Sequence, residues 1–231
     1  MNLNNMMLIL VKIKNYKVQK KIFLIIGVSI AAILIATGIG LTLNNSGEKF
    51  NTLSLPELEF TYNESNAKLK QHLENKEISM SSPIKLVSQS NLAEFCTFFE
   101  NDELQNHVEY CTSTELRDSE GNYLGNIHMV GTRAMPKSVL ALIQSDPFMG
   151  NLDDVKTVYG TVIEDLVCDC WNDVKPSDIQ TVAEWVDKQR EFHTSDTKPT
   201  SRSVLNLSGM QIQLELTTNT QGYLWKLLIS G

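Results

Sequence analysis

The chain has 231 residues, 42% hydrophobic and 20% charged, with 27 acidic against 20 basic side chains and a net charge of −7. Those proportions exclude a disordered chain and allow a core that folds without metal or disulfide help. Five lysines and no acid fall in residues 1–43, leaving 15 basic against 27 acidic residues over 44–231, a net of −12; so acidic a stretch lacks the cationic footprint that nucleic acid requires.

Residues 1–21 hold Lys12, Lys14, Lys17, Lys20 and Lys21. Ile22–Leu43 then runs without a charge, and about 20 helical residues cross a hydrocarbon core of roughly 30 Å. This segment is predicted to be a single transmembrane helix, a signal-anchor in contact with the lipid bilayer. Lysines before it and Lys49 alone soon after it place the N-terminus in the cytoplasm and the remainder outside, by the positive-inside rule. The competing reading is a cleaved secretory signal, with Ala36, Gly38 and Gly40 as the small residues near a cut; its apolar stretch would be unusually long. Either way the bulk of the chain is exported.

Residues 44–86 read as a tether and irregular polar region, punctuated by Pro56 and Pro83, with a polar helix over Glu64–Glu77. Residues 87–231 read as one extracytoplasmic domain. Asn91 and Glu94 have capping-box spacing, and Leu92, Phe95, Cys96 and Phe99 follow on one helical face. Glu109–Arg117 and Tyr123–Val130 alternate with period two around Asp118-Ser119-Glu120-Gly121-Asn122, which predicts a β-hairpin. Lys137–Gln144, between Pro136 and Pro147, adds a third strand. A long helix is predicted over Asp153–Trp171, capped by Asn151, and a second from Ser177 to Phe192 with Ser177 as cap and Ile179, Val182, Ala183 and Val186 inward. Three strands close the chain: Ser203–Leu207, Met210–Thr217 and Tyr223–Ile229, joined by turns at Ser208-Gly209 and Asn219–Gly222. Blocks of helix and strand without βαβ alternation give an α+β class, with an antiparallel sheet and two to three packed helices.

All four cysteines, Cys96, Cys111, Cys168 and Cys170, lie in the exported part, and an even count in an oxidising compartment predicts two disulfides. Pairing Cys168 with Cys170 would close a very small, strained ring within a helix and is disfavoured. Cys96 and Cys111 are each expected to bond one of the two; the difficulty for that arrangement is that Cys168 and Cys170 lie about 200° apart on an ideal helix. A thiolate site for copper or zinc is the alternative use of these four sulfurs, with His107 at i, i+4 from Cys111. Asp165, Asp169 and Asp173 along one helix edge read as a solvated face.

His193, Ser195 and Asp196 contain the letters of a hydrolase triad, but triads assemble from distant segments, so these read as a helix terminus. His128 reads as a strand histidine, and His72 has no evident partner. No phosphate loop, nucleophile elbow or HExxH occurs. The expected function is a membrane-anchored, non-enzymatic binding or interaction module, with a protein partner or small ligand outside and no cofactor. A thiol-based metal or redox protein of the envelope is the alternative, and a hydrolase with an unrecognised site is a third.

Overall fold

Side chains alternating with a period of two build the sheet on which this domain rests. The computed structural model describes residues 56–97, 105–106, 108–195 and 199–231, all of them within the unit Phe50–Gly231. In chain order the elements are α1 (Tyr62–Glu74), β1 (Ser79–Met80), β2 (Ile84–Leu86), α2 (Gln89–Phe95), β3 (Tyr110–Arg117), β4 (Tyr123–Gly131), β5 (Pro136–Ser145), α3 (Leu152–Leu166), α4 (Trp171–Val174), a 3-10 turn (Pro176–Asp178), α5 (Val182–Ser195), β6 (Thr200–Leu207), β7 (Met210–Asn219) and β8 (Gly222–Ser230). The class is α+β with an antiparallel sheet.

The sheet order is β1-β3-β4-β5-β8-β7-β6, with β2 sharing the β3 edge. Two three-stranded meanders, β3-β4-β5 and β6-β7-β8, therefore meet at an antiparallel β5–β8 seam that runs from Ser138↔Ser230 to Ser145↔Tyr223. Helix α5 directly precedes the second meander, whereas β1, β2 and α2 lie between α1 and the first, and α3 packs against both α1 and α5. The β7 hairpin turns through Ser208 and Gly209, at φ 54° and 80°. Two successive left-handed residues make the turn whose twist matches paired strands, and glycine takes the second position without steric cost.

Alternate residues of the central strands face the helices. Val139, Ala141 and Ile143 of β5, Ile212, Leu214 and Leu216 of β7, and Trp225, Leu227 and Ile229 of β8 are all buried in one core. Leu69 and Leu73 of α1, Val155, Val158, Tyr159 and Val162 of α3, and Trp185 and Val186 of α5 fill the other side of it. On the opposite face of β3 and β4, Cys111 and Val130 join Leu86, Leu92, Cys96 and Val108 in a smaller cluster under α2. Further along that face the register lines up Arg202, Glu215 and Lys226 on adjacent strands. Glu215 accepts from Arg202 at 2.7 Å and pairs with Lys226 at 2.8 Å. Burial alone would raise the Glu215 pKa, but the two cations outweigh it and hold the carboxyl below its usual range.

The hairpin, the third strand and the three closing strands form as their patterns require. The helix expected over Glu64–Glu77 forms as α1, from Tyr62 to Glu74: Thr61 caps it, its hydroxyl accepting from the Glu64 amide, and it buries Tyr62, Leu69 and Leu73. Other expectations are corrected. The N-cap of α2 is Ser88 rather than Asn91, with the Asn91 amide donating to Ser88 Oγ. Asn151 does not cap α3; it accepts from Ser145 Oγ and donates to the Gln144 carbonyl, pinning the helix start to β5. The helix predicted through Trp171 stops at Leu166, and α5 starts five residues later than Ser177. Thr181 accepts from the Glu184 amide while Glu184 accepts from the Gln180 amide, a reciprocal cap one residue removed from the usual capping box. Among the described residues five α-helices result, where two or three were expected; α2 and α4 are the short ones. Among the described residues no helix is long and apolar enough to cross a membrane. The span predicted at Ile22–Leu43 and the residues Phe99, His107 and Asp196 lie outside the described residues.

His128, on β4 between Ser113 and Leu140, is buried enough for desolvation to push its pKa down to about 4 from 6.5. The unfolded state then takes up the proton first as pH falls, so this histidine's contribution is complete above about pH 6.5 and is lost towards pH 4. Urea titrations of wild type and His128→Leu at pH 7, 6, 5 and 4 should diverge in slope, the variant losing up to about 3 kcal/mol less over that window. Parallel curves would rule out the buried neutral imidazole.

Candidate functional site

Helix α3 governs the local geometry. Its C-cap is Val167, and the amides of Val167 and Cys168 both donate to the Ile163 carbonyl, at 2.9 and 3.1 Å. The chain then turns through Cys168-Asp169-Cys170. The Cys170 carbonyl accepts from Asp173 and Val174 to start α4. Lys175, at φ 44°, ends α4 in the left-handed region. The Trp171 indole, nearly buried, donates to the Ile179 carbonyl at 3.1 Å and so clamps the following loop under the α4 turn.

This knuckle holds a disulfide between Cys168 and Cys170, with Cα atoms 5.1 Å apart. The second disulfide joins Cys96 to Cys111 across 15 residues. The expected cross-pairing is therefore corrected. The argument against Cys168–Cys170 assumed a helix through both residues, and the helix has already ended at Leu166. Outside a helix, two residues separated by one can bring their Cβ atoms within bonding reach. The two bridges differ in standing. Cys96 and Cys111 are both fully buried, whereas Cys168 and Cys170 are half-buried against the main core. In the chain-entropy argument the 15-residue loop contributes about 3 kcal/mol and the short ring roughly half as much.

Beside the knuckle lies an open cleft of about 370 Å³. Lys156, Thr157, Gly160, Ile163 and Glu164 of α3 form one wall; Lys76, Cys168, Asp169, Trp171, Asn172, Thr181 and Val182 complete it. Gly160 sits inside α3, where glycine costs about 1 kcal/mol relative to alanine. A Cβ built there meets nothing within 4 Å. Packing does not demand the glycine, and its missing side chain keeps the middle of the wall open. Both signs of charge border the cleft. Lys76 donates to Thr161 Oγ1 at 2.9 Å and lies 3.7 Å from Glu164, and Lys156 pairs with Asp187 at 3.0 Å.

Next to this cleft, α1 lays Lys68 and His72 at i and i+4 along α3, and Lys76 follows two residues past the helix end. Asp165 is the anchor of that seam. Its side chain is 2% exposed; His72 Nδ1 lies 2.7 Å from Oδ1, and Lys68 lies 3.5 Å from the same oxygen while donating to the Asp165 carbonyl. Asp165 thus leaves the solvated acidic face expected for it, and His72 gains a partner. An aspartate holding a histidine resembles half of a base-activating pair, but among the described residues nothing hydrogen-bonds His72 Nε2, so no nucleophile is assembled.

His193 is committed elsewhere. Its Nδ1 lies 2.9 Å from Ser201 Oγ and its Nε2 2.8 Å from Thr218 Oγ1, both on the sheet, and burial lowers its pKa. Ser195 instead donates to the Phe192 carbonyl, so His193 and Ser195 are not brought together. Nor do the sulfurs converge. Cys96 and Cys111 belong to the small cluster under α2, Cys168 and Cys170 to the edge of the main core. Among the described residues no group of three or more His, Cys, Asp or Glu is placed to hold a metal. Neither the cleft nor the Asp165 seam was legible in the sequence; the only signals were the four-residue spacing of Lys68, His72 and Lys76 and a glycine inside the α3 stripe.

Compared with protein-family models, with curated proteins and with solved structures, the chain matches none.

The Asp165 seam has a measurable signature. His72→Ala removes the closest donor to a buried carboxylate and should destabilise by about 1–2 kcal/mol, whereas Lys68→Ala, at a half-exposed position, should cost below about 1 kcal/mol. In a urea-denaturation double-mutant cycle, Asp165→Ala with His72→Ala should cost clearly less than the sum of the singles. Strict additivity would show that the two side chains do not interact.

Proposed function

We propose that the chain is a single-pass membrane protein whose domain over 44–231 faces outside the cytoplasm and acts as a binding module, taking a small ligand or a partner's extended segment into the cleft beside Gly160. The observation that carries the reading is the cysteine chemistry: all four cysteines of the chain are paired as disulfides, a state that persists in oxidising, extracytoplasmic compartments and is rare where glutathione keeps thiols reduced. The charge-free stretch Ile22–Leu43 behind five lysines supports the same topology. The acidic composition of the remainder argues for a partner other than nucleic acid.

The binding part rests on the cleft. A helix-interior glycine with open space where its side chain would stand maintains a concavity that close packing does not require, and ligand sites are concavities with a few placed polar groups. Lys76, Lys156, Glu164 and Asp169 supply those groups at its rim.

Topology is tested in intact cells. Protease added outside should digest residues 44–231 without lysis, and a membrane-impermeant maleimide should label the domain only after reduction. Protection until lysis, or free thiols at all four cysteines, would overturn the exported assignment. The cleft has its own test: Gly160→Ala should raise stability by about 0.5–1 kcal/mol in thermal or urea unfolding through helix propensity alone, while Gly160→Gln should keep the fold and narrow the cleft. Destabilisation by Gly160→Ala would mean that the position is packed rather than open.

A further inference from the structure

We infer that Cys168–Cys170 is a thiol–disulfide exchange site, with Cys168 as the sulfur that incoming thiolates attack. The inference deepens the binding reading, because it uses the same cleft, and it names the ligand class as thiols, foremost the paired cysteines of reduced polypeptides outside the cytoplasm.

Access separates the two bridges. Exchange needs a thiolate to approach a disulfide sulfur, so rate follows exposure as well as thiol chemistry. Cys96 and Cys111 have no exposed surface, sealed beneath α2. Cys168 lines an open cleft, and Cys170 is half-buried one residue beyond exposed Asp169. The site also has somewhere for a substrate to sit: the wall at Gly160 is clear, and nearly buried Trp171 gives the cleft an apolar side. Finally, the short ring does little to restrain the unfolded chain, so fold stability does not account for it in the way it accounts for Cys96–Cys111.

The step balances with a dithiol as the reductant. One substrate thiolate attacks Cys168 Sγ; the bond to Cys170 breaks and Cys170 leaves as a thiolate that takes a proton. The resulting mixed disulfide joins the substrate to Cys168. The second substrate thiolate then attacks the substrate sulfur of that bond, and Cys168 leaves as a thiolate and is protonated in turn. Two electrons and two protons have passed from the substrate, now a disulfide, to the Cys168/Cys170 dithiol. A disulfide meeting the reduced protein drives the same steps backwards.

The test uses the full chain purified in detergent micelles, exposed to graded dithiothreitol or to reduced and oxidised glutathione, quenched in acid, alkylated and mapped by mass spectrometry. Cys168–Cys170 should open about 100-fold faster than Cys96–Cys111 under native conditions, and glutathione should be trapped on Cys168. A Cys170→Ser variant should form that adduct from oxidised glutathione and hold it, lacking the partner that resolves it; a Cys111→Ser variant should leave the Cys168–Cys170 rate within about twofold of wild type. A reduced dithiol peptide of unrelated sequence should be oxidised stoichiometrically by wild type. If the two pairs opened at one rate, if Cys168–Cys170 opened only in denaturant, or if the adduct fell on Cys170, the inference would be overturned. Because the measurement is made on purified protein, failure of exchange leaves the exported topology standing, and an inverted topology leaves the exchange result standing.

Discussion

The pairing of β5 with β8 holds this domain together. Val139, Ala141 and Ile143 lie opposite Ile229, Leu227 and Trp225 across that seam, and all six are buried on the helix-bearing face. Remove the seam and two meanders remain, each with one helix and half a core. Neither half then covers the apolar residues of α3, which packs against α1 on one side and α5 on the other. A central strand pair buried on its helical face has its register set strongly, since a one-residue slip would turn every side chain to the wrong face. The helices can be irregular because the β5–β8 seam beneath them keeps one register from end to end.

Irregularity is concentrated where α3 ends. The chain leaves the helix at Val167, bends through two bridged cysteines, makes one turn of α4 and passes through left-handed Lys175, Ser177 and Asp178 before α5 begins. Trp171 and Ile179 fix this stretch to the core by one hydrogen bond and by burial. The result is a joint with a sulfur-sulfur bond at its half-buried edge, placed beside Gly160, the one glycine inside the described helices. The opposite end of the molecule treats its disulfide differently, enclosing Cys96 and Cys111 between α2 and the sheet.

Strands were legible in this sequence because their burial follows the period of the backbone. Met210 to Leu216 alternate in and out as written, and the Ser208-Gly209 turn forms because glycine suits its left-handed second position. Helix interiors were legible too, since Val155, Val158, Tyr159 and Val162 fall on one face. Helix ends were not. A cap is a choice among several competent side chains, and Ser88 outcompetes Asn91, while Asn151 is drawn away by Ser145 and Gln144. That uncertainty of a few residues decided the disulfides, because the pairing rule for Cys168 and Cys170 changes sign according to whether the helix includes them. Asp165 and His72 are 93 residues apart, and nothing local to either position announces a contact that only packing of α1 on α3 creates.

The order of the strands along the chain also has a consequence for biosynthesis. β5 is complete at Ser145, but its partner β8 begins only at Gly222. At about 5–20 residues per second on the ribosome, the inner edge of the first meander waits several seconds, roughly four to sixteen, for its mate. During that interval it is a bare row of amides and carbonyls beside an apolar face, the kind of template that recruits stray strands. Whatever carries the nascent chain through that interval must shield β5 until the last hairpin arrives.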